Sequence, residues 1–79
     1  MIVKLYATLR REAGAAEVEA DAATAGELLD ALAARHGPLF RAEGSILLVD
    51  GVNVQLLQGD DTPLPEGARI ELFPPLGGG

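Results

Sequence analysis

The chain has 79 residues, of which 48% are hydrophobic, and a formal net charge of −6. A single domain of this size buries only about 60% of the surface its unfolded form exposes, so it holds one modest core and little room for an internal active-site cavity. The apolar fraction argues against global disorder. The acidic balance argues against nucleic acid as a partner, because phosphate binding needs a Lys/Arg surface; it serves solubility or steers the chain toward a basic partner.

The inventory excludes further classes. No apolar run approaches the ~18 residues that cross a membrane, and Met1-Ile2-Val3-Lys4 leads straight into a strand-like pattern rather than a signal peptide. With no cysteine there is no disulfide framework and no cysteine-ligated metal. A cytoplasmic location is the expectation. One histidine, His36, falls where a helix should end, and one serine, Ser45, lies just before a strand. Neither has the supporting partners of a nucleophile system, so the chain is expected not to be catalytic by itself.

Ile2 to Thr8 alternates, with Val3, Leu5 and Ala7 on one face of a strand and Ile2, Lys4, Tyr6 and Thr8 on the other. Arg10 to Gly14 reads as a polar turn with Arg10-Arg11 solvated. Glu17 to Asp21 alternates again with Val18 and Ala20 inward, which suggests a hairpin. Thr24-Ala25-Gly26-Glu27 is a capping box. Leu28, Leu29, Leu32 and Ala33 follow at helical spacing as core. Arg35 and His36 suit the last turn and its dipole, Gly37 suits a left-handed position after the helix, and Pro38 blocks continuation. His36 is read as a helix-end cap rather than a ligand.

Pro38 to Gly44 reads as a loop with Leu39 and Phe40 packing back. Ile46-Leu47-Leu48-Val49 has strand length, Asp50-Gly51 signals a type I′ hairpin turn, and Val52-Asn53-Val54 resumes alternation. Gln58 to Gly67 is turn-rich, and Asp60-Asp61 is a turn rather than a metal site. Arg69 to Phe73 is a last strand with Ile70 and Leu72 on one face. The expected fold is α+β, a β-grasp (ubiquitin-like) mixed sheet with one main helix on one face and the first and last strands central. Residues 1–73 form the domain and 74–79 a flexible functional tail.

The tail is the most informative segment. Pro74-Pro75 ends the sheet because proline offers no ladder N–H. Gly77-Gly78-Gly79 has no side chains to pack, and six residues from Pro74 reach about 20 Å when extended. Such a tail suits threading a backbone and its terminal carboxylate into a narrow channel of another protein, at an ordering cost of about 1–2 kcal/mol per residue.

Val3 to Gly14, the helix region Thr24 to Gly37, the late loop Leu57 to Gly67 and above all the ending Phe73-Pro74-Pro75-Leu76-Gly77-Gly78-Gly79 resemble the MoaD family. These are ubiquitin-like sulfur carriers, the small subunits of molybdopterin synthase. The resemblance covers essentially the whole chain. It implies that an E1-like (MoeB-like) adenylyltransferase uses ATP to convert the Gly79 carboxylate to an acyl-adenylate. A sulfur donor such as a cysteine desulfurase then leaves a thiocarboxylate. The tail enters the large (MoaE-like) synthase subunit and gives its sulfur to precursor Z in molybdenum cofactor synthesis. No cofactor is expected on the chain itself. Gly79 and Gly78 carry over directly, while Gly77 stands where that family often has a small or polar residue. Phe73, Pro74, Pro75 and Leu76 are expected to dock on the partner, Phe73 alternatively being partly core.

Three other functions remain open. A ubiquitin-like modifier would be conjugated through Gly79, and Lys4, the only lysine, makes chains through internal lysines improbable. A carrier for thiazole synthesis or tRNA thiolation would share the chemistry, although the helix region and the Phe73-Pro74-Pro75 ending fit the molybdopterin branch better. A pure interaction domain would never use its carboxylate.

Overall fold

The fold was established from a computed structural model, which describes residues 1–76. Five strands form one mixed sheet: β1 (Ile2–Leu5), β2 (Glu17–Glu19), β3 (Ile46–Val49), β4 (Val52–Asn53) and β5 (Ile70–Phe73). Their spatial order is β2-β1-β5-β3-β4. β1 and β5 run parallel, with Val3 beside Ile70 and Leu5 beside Leu72. β3 runs antiparallel to β5, with Ile46 beside Phe73 and Val49 beside Ile70. β5 therefore lies in the middle of the sheet, and β1 is internal beside it.

One face of this sheet is covered by α2 (Ala25–His36), whose Leu28, Leu29 and Leu32 meet Val3, Leu5, Leu47, Val49, Ile70 and Leu72 in a single core. Alternation along β1, β3 and β5 supplies the sheet half of that core. The helix start forms as its sequence dictates. The Glu27 N–H donates to Thr24 Oγ1 at 3.3 Å, and the Glu27 carboxylate accepts from the Ala23 N–H at 3.0 Å, one residue earlier than in a strict capping box.

Several expectations needed correction. The first strand stops at Leu5, because Ala7 takes φ 53° and turns the chain; Ala7 is exposed, not inward. The expected polar turn Arg10 to Gly14 lies mostly in α1 (Thr8–Ala13), a six-residue helix ended by Gly14 in left-handed conformation. It buries Leu9, and one buried position is too few for a helical period to be read. β1 and β2 pair antiparallel as a hairpin would, but across this helix. The expected loop after Gly37 begins with a 3-10 turn, Pro38–Arg41, that buries Phe40.

Gly37 has φ 121° and ψ 165°, which favours glycine but is extended rather than left-handed helical. His36 is not a cap. Its ring tilts against Phe40 at 5.2 Å, and its Nε2 is buried without a partner among the described residues. The helix end is closed instead by the Gly37 N–H on the Ala33 carbonyl, while Arg35 reaches the Glu19 carbonyl at 2.7 Å. The Asp50-Gly51 turn has φ 51° and 83°, both positive as a type I′ turn requires. Val54 leaves the strand for a 3-10 turn, Val54–Leu56, and is buried there. Among the described residues no helix is long and apolar enough to cross a membrane.

Candidate functional site

The central strand runs directly into the tail, so the sheet fixes where the tail begins. With Leu5 and Leu72 paired on the inner face, Tyr6 and Phe73 emerge together on the outer one. Their rings stack 4.2 Å apart at an interplanar angle of 8°. The Tyr6 hydroxyl donates to Glu71 Oε2 at 2.8 Å, and Arg69 Nε lies 3.5 Å from Glu71 Oε1. The bond to the Glu71 carboxylate holds the Tyr6 phenol above the ordinary tyrosine pKa, with desolvation and the charge of Glu71 acting the same way.

Ile46 stands beside Phe73 and Leu48 beside Glu71 in the β3–β5 register. Both are the half-buried positions of β3, so they share the outer face with Tyr6 and Phe73. The result is an apolar strip carrying one largely covered carboxylate, whose side chain is only 17% exposed. It ends where the tail starts. Lys4 flanks it, paired in register with Glu71 on one side and Glu17 on the other.

The predicted docking residues are brought together at this end of β5. Phe73 is half-buried against Tyr6 on the outer face and is not part of the helix-side core. Pro74 and Pro75 are half-buried, and Leu76 is 85% exposed. Gly77, Gly78 and Gly79 lie outside the described residues. Tyr6 and Glu71 were not singled out from the sequence. Each was legible as an outward position in an alternating strand, but only the parallel pairing of β1 with β5 places them side by side.

The other sequence candidates serve the scaffold. Asp60 is gripped by Arg41 through both terminal guanidinium nitrogens, and Arg41 Nε also reaches Asp30 Oδ1 at 3.1 Å. This grip holds the Asp60 carboxyl below its ordinary pKa and raises that of Arg41. It ties α2, the turn Pro38–Arg41 and the turn Gly59–Asp61 together. Arg10 and Arg11 occupy the exposed last turn of α1. Among the described residues Ser45 Oγ is buried without a partner, and no group of His, Cys, Asp or Glu is placed to hold a metal. What the arrangement offers is a half-covered apolar strip on the outer face that ends at Pro74, Pro75 and the exposed Leu76.

Residues 3–79 match the model of the ThiS family. The chain belongs to the ThiS family. Its mixed sheet and single main helix are the ubiquitin-like β-grasp fold of those small sulfur carriers. No curated protein matches the chain. Among solved structures, the small archaeal modifier protein 1 of Methanosarcina acetivorans is 26% identical with a TM-score of 0.84, over 99% of this chain and 94% of its own. The HVO 2177 protein of Haloferax volcanii is 30% identical with a TM-score of 0.77, over 99% of this chain and 84% of its own. A Pyrococcus furiosus protein assigned as molybdopterin converting factor subunit 1 is 26% identical with a TM-score of 0.73, over 95% of each chain.

Proposed function

We propose that this ThiS-family chain carries sulfur as a thiocarboxylate on Gly79 and serves molybdopterin assembly as the small subunit of a synthase. The carrying observation is the junction itself: the central strand passes from a stacked Tyr6–Phe73 pair into two prolines and an exposed Leu76, beside an apolar strip. A partner covering that strip gains apolar burial at about 25 cal/mol per Å², which offsets the entropy of ordering a glycine tail in its channel. The likeness to a molybdopterin converting factor subunit supports the choice of pathway.

The chemistry follows from the weakness of a carboxylate as an electrophile. Attack of the Gly79 carboxylate on the α-phosphorus of ATP, on an E1-like adenylyltransferase, releases pyrophosphate and leaves an acyl-adenylate. A sulfur nucleophile then attacks the acyl carbon and AMP departs as the leaving group. The terminal sulfur, delivered into the large subunit, is the nucleophile toward precursor Z. No side chain of this domain takes part in bond making; the domain docks, and the tail delivers.

Intact-mass measurement tests this. Protein incubated with its activating enzyme, ATP and a sulfur donor should gain about 16 Da, an oxygen replaced by sulfur in a covalent intermediate. Removing Gly79 should abolish the gain and leave the melting temperature unchanged. Absence of any adenylation of the intact chain overturns the proposal. A second reading, conjugation to other proteins through Gly79, is favoured by the likeness to small archaeal modifier protein 1; it predicts covalent conjugates in the native cell, and their absence counts against it.

A further inference from the structure

The alternation from Ile2 to Thr8 reads as one strand, yet β1 ends at Leu5. Continued through Thr8 in the same register, it would run on beside Pro74 and Pro75, which offer it no N–H, and would turn only the methyl group of Ala7 inward. The chain takes another course. Ala7 has φ 53° and ψ −128°, and the Leu9 N–H donates to the Tyr6 carbonyl at 3.2 Å. Tyr6 to Leu9 is therefore a type II′ turn with Ala7 at its first central position. Leu9 is fully buried as a result, while Ala7 is exposed.

That position belongs to glycine. A residue with a Cβ crowds its own backbone there, and the conformation persists only where the surroundings over-determine it. Asp50, the other non-glycine with positive φ among the described residues, sits in a hairpin turn that accepts aspartate; Ala7 has no such licence. Contacts on both sides hold it. Before the corner, Leu5 is laddered beside Leu72, the Tyr6 ring stacks on Phe73 at 4.2 Å, and the Tyr6 hydroxyl donates to Glu71 at 2.8 Å. After it, Leu9 enters the core, and the Arg10 N–H donates to the Ala7 carbonyl at 3.1 Å.

We infer that Ala7 is a positioning residue: a strained corner, held between the Tyr6–Phe73 stack and the buried Leu9, that fixes the Tyr6 ring beside the root of the tail. The consequence for docking rests on the transfer reading above; the strained corner does not. A Tyr6 ring released from this corner would leave Phe73 uncovered and Glu71 without its phenol donor.

Three chains that differ only at residue 7 measure the strain. Ala7 is exposed, so changing it costs no packing. Ala7→Gly removes the crowding but gives the unfolded chain more freedom, which offsets part of the gain. D-alanine at the same position, placed by chemical synthesis, prefers positive φ without that added freedom. The melting temperature should rise by roughly 4–8 °C for Ala7→Gly and further for D-alanine. An unchanged or lower melting temperature in either chain overturns the strained corner.

The positioning role has its own readout. Tyr6 is the only tyrosine and the chain has no tryptophan, so ultraviolet absorbance reports this ring alone. Ala7→Val puts a β-branched residue where φ must be positive. In that variant the phenol should titrate near the ordinary value of about 10. KM for the chain as substrate of its adenylating enzyme should rise about tenfold with kcat unchanged, because docking and not chemistry is disturbed. A phenol still held high, or an unchanged KM, in folded Ala7→Val overturns the positioning role. If Ala7→Val does not fold, a double-mutant cycle decides: in a Tyr6→Ala background the corner is freed on one side, and the rise from Ala7→Gly should shrink to about half or less. Equal rises in both backgrounds overturn the role. If even the wild type is not adenylated, the transfer reading fails, while the melting temperatures and the phenol titration still decide the corner.

Discussion

Replacing Gly26 by alanine should destabilise the domain, although the residue lies inside a helix. Alanine in a helix interior is favoured over glycine by up to about 1 kcal/mol, so propensity alone predicts a gain. The structure predicts the reverse. A Cβ on Gly26 would lie 2.9 Å from Asp60 Cβ, 3.1 Å from its Cγ and 3.2 Å from its carbonyl oxygen. Those atoms cannot yield easily. Asp60 is held by Arg41 through two hydrogen bonds. Its loop is pinned to the helix start by the Ala25 N–H on the Thr62 carbonyl at 2.9 Å and the Leu64 N–H on the Ala23 carbonyl at 3.0 Å.

Forcing a methyl group into packed structure costs about 1–3 kcal/mol, so the net loss should be about 1–2 kcal/mol. In a domain of this size that lowers the melting temperature by roughly 4–15 °C. Thermal melts followed by circular dichroism, with urea titration alongside, measure it. A double-mutant cycle isolates the cause: in an Asp60→Gly background, which removes the two nearest atoms, the cost of Gly26→Ala should fall by about 1 kcal/mol. A melting temperature equal to or above the wild type, or an equal cost in both backgrounds, refutes the reasoning.

Glu71→Gln should bring the Tyr6 phenol down toward the ordinary tyrosine value of about 10, read from phenolate absorbance. The Tyr6–Glu71 bond favours the protonated phenol, so its contribution to stability is full below that ordinary value and is lost as pH rises through the higher folded one. Asp60 behaves oppositely. Its pKa is lowered by Arg41, so the stability it contributes is present above the ordinary carboxylate value of about 4 and is lost as pH falls through the lower folded one. Melting temperatures across the acid range should therefore fall more steeply for the wild type than for Asp60→Asn. Leu72→Ala, at a fully buried position on the central strand, should cost about 2–5 kcal/mol by chemical denaturation.

The main helix, its capping box, its proline stop, the Asp50-Gly51 turn and the inward faces of the strands were legible in the sequence, because local patterns cause them. Capping and positive φ act within four residues, and alternation is a property of a single strand. The same reasoning missed α1, whose one buried residue, Leu9, leaves no period to detect. It misassigned His36, since a histidine in a last helical turn suits the dipole equally well as a cap or packed against a neighbouring ring. Phe40 supplies that ring from a turn whose path the sequence does not specify.

The site divides in the same way. Composition and order alone marked the end of the chain, because consecutive prolines stop a ladder and glycines pack nothing. Only tertiary structure brought Tyr6 to Phe73 and Glu71 to Tyr6. Each of those contacts depends on which strands become neighbours, and that is decided by burying all the inward faces at once under one helix. Sequence distance carries no trace of it: Tyr6 and Glu71 are 65 residues apart and share a hydrogen bond of 2.8 Å.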